Sequence, residues 1–326
     1  MNIRLRRGTL AACALAMLTA TGMWAQEPAA GAAGDGTRAR TQSDRHGGPE
    51  IVPHRTNPRE EAPTAGSAGV MTPDITFHGG SVMGKPNVYL IWYGNWNQNN
   101  ASDTPGGQAI VRDFLHGLSG SDYYLTNASY GTPTGSFVVA KEYTAGYSEG
   151  SRLSDYGVQL VVTNAINGGH LPNDNNGIYF VLTSSDVSES SGFCSQYCGW
   201  HTYGYISGTN IKYAFVGNAN RCLYACAAQT VGPNGNAGVD GMVSVIAHEL
   251  EEANTDPYLD AWYDADGAED ADKCAWTFGS HQSRGSNGAY YNMTLTGVSG
   301  NQRNFLIQRE LDVTSRCYVN YVTKAQ

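Results

Sequence analysis

The sequence predicts an α+β fold: a single domain with a mixed β-sheet, supported by disulfides and carrying one long helix with a polar face. Three observations predict it. From Asn87 to Ala253, β-branched and aromatic runs alternate with stretches of helical spacing. Hydrophobic residues make up 41% of the chain and charged residues 15%, which allows a buried core and excludes a coiled coil or a charge-rich disordered chain. Six cysteines, Cys194, Cys198, Cys222, Cys226, Cys274 and Cys317, follow the amino-terminal segment, an even number suited to disulfides.

The chain opens as a secretory signal. Arg4, Arg6 and Arg7 precede an apolar stretch from Leu10 to Trp24, shorter than the roughly 20 residues that a bilayer crossing needs. Residues 1–25 are read as a signal peptide, so the mature protein is expected to be secreted or periplasmic, with no transmembrane anchor. Residues 26–71 are rich in Ala, Gly, Pro and Thr with almost no large apolar side chain, the composition of a disordered linker or pro-segment. The folded domain is placed at 72–326. The full chain has 20 basic and 29 acidic residues, a net charge of −9, and loss of the signal removes three arginines and no acid. Such an acidic protein is a poor partner for nucleic acid or anionic membrane.

Within the domain, Asn87–Tyr93 is a strongly β-prone run ended by Gly94, and Ala109–Leu118 has helical spacing. Ser136–Tyr143 reads as a strand, Arg152–Ile166 as a helix stopped by Gly168 and Gly169, and Ile178–Thr183 and Ile211–Val216 as buried strands. Gly238–Ala253 is the clearest helix, with Asp240 expected as its N-cap and Thr255, Asp256 and Pro257 as its stop. At 100° per residue, Val239, Met242, Val243, Ile246 and Leu250 form one apolar stripe, while His248 and Glu252 fall opposite beside Gly241 and Ser244. The polar side is expected to leave room for a substrate.

The six cysteines allow fifteen pairings, and spacing alone selects none of them. A zinc role for the two C-x3-C pairs is set aside, because an exported chain favours disulfides and structural zinc pairs favour other spacings.

His248, Glu249 and Glu252 form an H-E-x-x-E motif on the polar face of the long helix. Side chains four apart project one turn from each other, so an imidazole and a carboxylate can reach one ion while Glu249 points beside it. His248 and Glu252 are therefore candidate zinc ligands, and Glu249 is the candidate general base that takes a proton from water. Residues 249–272 hold 10 of the 23 acids that follow Pro73, which favours a bound metal over a solvated helix end. For the third ligand Glu269 is chosen over Asp272, Asp256 and His201, because it lies far enough past Glu252 for the chain to turn back. His201, alone near a cysteine, is read as a packed structural histidine ahead of a ligand. Asp264, Asp266 and Gly267 resemble part of an EF-hand, but Trp262 and Lys273 would occupy its end positions, so only a non-standard calcium loop remains as an additional metal site.

Other chemistries leave little trace: there is no P-loop and no strand-following G-x-G-x-x-G. Trp92, Trp96, Trp200 and Trp262 have the chemistry to stack on sugars, but core packing is the more economical reading.

Several blocks in order carry a resemblance: Leu90–Gly94, Val181–Val187, Gly192–His201, Lys212–Asn218, Gly238–Met242 and Tyr291–Asn292. Over about residues 78–320 they resemble the phosphate-induced, or EXORDIUM-like, protein family. That resemblance implies an exported, cell-wall-associated protein with no settled biochemical activity. The segment from His248 to Pro257, followed by Glu269, Asp272 and Cys274, departs from the neutral plant pattern and is similar to microbial secreted proteins resembling zincin peptidases. The expected function is zinc-dependent hydrolysis of a peptide or cell-wall substrate, peptide bonds first. The alternative is a non-catalytic extracellular protein whose acidic loop holds structural calcium or nothing.

Overall fold

Asn87–Tyr93 is buried along nearly its whole length, as an unbroken apolar run must be when both faces of a sheet are covered. It forms strand β1, the centre of the sheet. The computed structural model describes residues 40–41, 75–97, 105–132 and 135–320, all within the compact unit Gly36–Gln326. The expected signal peptide and linker lie outside the described residues, apart from the two-residue strand Arg40–Thr41.

Helix α1, Pro105–Leu118, follows β1 and buries Ile110, Val111, Phe114, Leu115 and Leu118 on one face. Strand β2, Val138–Gly146, then lies parallel to β1. Helix α2, Asp155–Asn167, starts three residues later than the sequence suggests, because the Ser154 hydroxyl accepts from Gly157 N–H and caps it there. Arg152–Leu153 instead pairs with Ser188–Glu189. Strand β3, Gly177–Thr183, is parallel to β1 on its other side.

Strands β4, Gly199–Ile206, and β5, Thr209–Val216, form an antiparallel hairpin. Ser207 and Gly208 both have positive φ, 51° and 87°, the conformation that matches a two-residue turn to the twist of its strands. The sheet order is β2-β1-β3-β5-β4, with Arg40–Thr41 along the outer edge of β4. Helices cross over between the parallel strands β1, β2 and β3, as such connections require. The mixed sheet and the alternating order agree with the fold expected from sequence.

Helix α3, Ala237–Thr255, packs on β4 and β5. Three disulfides join Cys194 to Cys222, Cys198 to Cys226 and Cys274 to Cys317. The first two tie the entry to β4 to the short helix Leu223–Cys226 that rests against α3. The third ties the acidic loop to the C-terminal segment, where Ile75, Tyr130, Cys274 and Leu311 make a satellite apolar cluster. Disulfides of this kind form and persist in oxidising compartments. Among the described residues no helix is long and apolar enough to cross a membrane.

Candidate metal centre

Helix α3 begins at Asn236, whose side-chain oxygen accepts from Val239 N–H at 3.3 Å. Asp240, the expected N-cap, lies instead in the first turn and accepts from Asn234 N–H and side-chain N–H. The earlier start puts an uncharged cap at a buried helix end, where Asn236 also accepts from Asn220. Burial raises the Asp240 carboxyl to about 6, with the Asn234 bonds opposing it.

Every residue from Gly238 to Thr255 except Gly241 is buried, and protein covers the face at His248 and Glu252, while a small cleft borders Asp240, Gly241 and Ser244 towards the start of the helix. Gly238 and Gly241 let the chain approach closely: a Cβ would sit 2.2 Å from Asn220 at the first and 2.9 Å from the Cys226 carbonyl at the second. On this face His248, Glu249 and Glu252 are at most 1% exposed.

His248 Nε2 stands 2.9 Å from Glu252 Oε1, one helical turn away, and 3.5 Å from Asp272 Oδ1. Asp272 begins a short 3-10 turn, Asp272–Cys274, and its N–H donates to Glu252 Oε1 at 3.2 Å. The other Glu252 oxygen, Oε2, lies 3.7 Å from His201 Nε2, and His201 is 2.8 Å from Glu269 Oε2. His201 comes from the middle of β4, opposite Ala214 of β5. The structure therefore brings together all three sequence-derived ligand candidates, His248, Glu252 and Glu269, and adds His201 and Asp272 to them. The ligand atoms of His201, Glu252 and Glu269 lie within 4.8 Å of one another, as do those of His248, Glu252 and Asp272.

The donor set fits a divalent transition metal, which imidazole nitrogen and carboxylate oxygen serve in zinc, iron and manganese sites. His248 Nε2 faces Glu252 Oε1 and Asp272 Oδ1 together, the placement a ligand to a shared centre would have. Burial lowers the His248 pKa, but the Asp272 carboxylate and the charges of Glu249 and Asp270 outweigh it and leave the imidazole above its ordinary value. Glu249 belongs to neither ligand group. Its carboxylate lies against Gly199 at the start of β4, where an added Cβ would come within 2.8 Å of Oε1.

The remaining acidic candidates are occupied by local structure. Asp256 Oδ1 accepts from the N–H groups of Asp260 and Ala261 at 2.6 and 2.7 Å, closing the turn after α3. Asp264 accepts from Asp266 and Ala268 N–H and pairs with Lys273; burial opposes ionisation, but these bonds hold the carboxyl below its usual range. The loop weighed for calcium thus directs Asp264 to its own backbone and to Lys273. Trp92, Trp96 and Trp200 are buried, and Trp262 packs on Phe77 and Tyr130.

Sequence reasoning missed a layer behind the centre. Glu251, Asp270 and Glu310 are buried, with Glu251 bonded to Asn127 and Glu310 near Tyr123 Oη. Burial raises Asp270 to about 7, and burial with the charges of neighbouring carboxylates raises Glu251 and Glu310 well above the ordinary range. Glu310 is 58 residues beyond Glu252, with no motif to announce it.

The family described as the phosphate-induced protein 1 conserved region matches residues 75–319. Protein EXORDIUM-like 5 of Arabidopsis thaliana is 31% identical over 306 residues, 80% of each chain. Protein EXORDIUM-like 3 of the same plant is 31% identical over 278 residues, 72% of this chain and 79% of its own. Protein PHOSPHATE-INDUCED 1 of Nicotiana tabacum is 31% identical over 219 residues, 58% of this chain and 67% of its own. No solved structure matches the chain. A match that takes in the five long strands, the three long helices and the His-carboxylate centre shows that this chain belongs to the phosphate-induced protein 1, or EXORDIUM-like, family.

Proposed function

We propose that this chain is an exported member of its family that binds zinc and hydrolyses peptide bonds. The observation that carries the proposal is the convergence of His248 and Glu252, one turn apart on α3, with His201, Glu269 and Asp272 from a strand and a loop. A bound zinc ion would supply Lewis acidity, making water more acidic and polarising a carbonyl. Glu249 is the proton acceptor in this reading: it neighbours a ligand, belongs to neither ligand group, and is held against Gly199. Its carboxylate would take the proton of the attacking water and return it to the departing amine.

A second reading has its own support. Glu249, Glu252 and Glu269 are 0% exposed, and closed metal centres are the structural ones. The relatives described above are named as EXORDIUM-like or phosphate-induced proteins, and those names state no enzymatic activity. In that reading the protein is a non-catalytic extracellular component.

Elemental analysis of the purified protein, followed by a peptide-library digest with wild type and Glu249→Gln, separates the two. Zinc with cleavage that Glu249→Gln abolishes supports hydrolysis. Zinc with no cleavage of any peptide leaves the structural reading, and absence of zinc removes both metal roles.

A further inference from the structure

The donors at the centre gather as two triads around one shared residue. Glu252 turns Oε1 to His248 at 2.9 Å and Oε2 to His201 at 3.7 Å, so its two oxygens face different imidazoles. Each imidazole has a further carboxylate: Asp272 at 3.5 Å from His248 Nε2, and Glu269 at 2.8 Å from His201 Nε2. Each triad thus has one nitrogen, one carboxylate of its own and one oxygen of Glu252.

We infer that the site holds two divalent ions bridged by the Glu252 carboxylate, one on His248 and Asp272 and the other on His201 and Glu269. This rests on the metal-binding reading above and goes beyond it in number and arrangement. A bridging carboxylate satisfies both ions at once, with one Glu252 oxygen turned to each imidazole. Charge points the same way. Glu252, Glu269 and Asp272, with Glu249 beside them, can together carry more negative charge than one divalent ion balances. Uncompensated charge in a closed site is costly. Lys273, next to Asp272 in the chain, pairs with Asp264. Paired ions held by bridging oxygens recur in hydrolytic enzymes.

The test is a zinc chloride titration of chelator-treated protein by calorimetry, with elemental analysis of the reloaded protein after gel filtration. Wild type should take up two equivalents of zinc. Asp272→Asn and Glu269→Gln should each retain one, and Glu252→Gln should weaken both sites at least tenfold. In the cobalt-loaded protein, the paramagnetic signal at two equivalents should fall below twice that at one, because Glu252 couples the ions. The wild-type stoichiometry and the cobalt signal need no variant to fold. Saturation of wild type at one equivalent, with Asp272→Asn and Glu269→Gln each losing it, would overturn the pair and leave the single-ion centre standing. Two equivalents that survive both variants would place the ions elsewhere and also overturn it. No zinc uptake by wild type would remove the metal-binding reading itself.

Discussion

His201 Nε2 and Glu269 Oε2 are 2.8 Å apart, although 68 residues separate them in the chain. Strand β4 supplies one and the acidic loop the other, so the contact closes the sheet edge onto α3 at Glu252. His201→Ala removes the candidate nitrogen ligand from one triad and leaves two buried carboxylates facing each other. We expect loss of at least half the bound zinc by elemental analysis and a lower Tm for the zinc-loaded protein, since ligand-linked binding free energy is folding free energy. Unchanged zinc content would return His201 to a packing role.

Glu249→Gln keeps the shape of a side chain that lies in neither triad. Zinc content should be unchanged, while any peptide hydrolysis should fall by at least a hundredfold, in line with loss of a general base. Retained hydrolysis would exclude Glu249 as the proton acceptor.

Gly199→Ala tests the same carboxylate from the other side. The new methyl would meet Val245 Cγ1 at 2.6 Å, Glu249 Oε1 at 2.8 Å and the Phe215 carbonyl at 3.0 Å. We expect a destabilisation of about 1–3 kcal/mol by chemical denaturation, typical of an overpacked interior. Activity should fall further than stability explains, because the base moves while the ligands stay. A variant of wild-type stability would show that this contact relaxes freely.

Asp240 makes stability depend on pH. Its folded-state carboxyl is raised from 3.8 to about 6, so the folded protein holds that proton more tightly than the unfolded chain. The favourable contribution is complete below about pH 4 and is lost as pH rises through 6, on the order of 2–3 kcal/mol. Asp240→Asn should therefore flatten the change in unfolding free energy between pH 4.5 and 6.5 relative to wild type. Parallel curves for the two proteins would refute the assignment.

Breaking the Cys274–Cys317 bridge with a Cys274→Ser, Cys317→Ser pair should cost roughly 2–5 kcal/mol, as for other native disulfides. The loss should extend to the metal, because Asp272 shares its 3-10 turn with Cys274. Full zinc retention in the double variant would show that the loop is held by the satellite cluster alone.

The sheet was legible where one pattern decided it. The apolar run of β1 and the helical stripe of α3 announce themselves because burial on both faces, or on one stripe, leaves little choice of residue. Strand β4 was not legible: Gly199–Ile206 mixes aromatics, His201 and two glycines, and its pairing partner β5 sets its structure. His248, Glu249 and Glu252 could be found because helical spacing links them locally. Glu269 could be chosen only by distance along the chain, and Asp272 was an alternative to it. His201 is also an alternative, read first as a packed histidine because its place beside them depends on the hairpin register. The closed face of α3 was equally hidden, since the loops that cover it lie before and after the helix in sequence.

The arrangement of the bridges gives the centre a history as well as a shape. Cys198 anchors the strand that carries His201, and Cys274 anchors the turn that carries Asp272. A newly made chain in a reducing compartment lacks both anchors, so His201 and Asp272, two of the five candidate donors, would be held less firmly. Oxidation would tighten both, so if the chain is exported and binds metal as proposed, maturation of the centre would follow translocation rather than synthesis and draw its ions from the compartment outside.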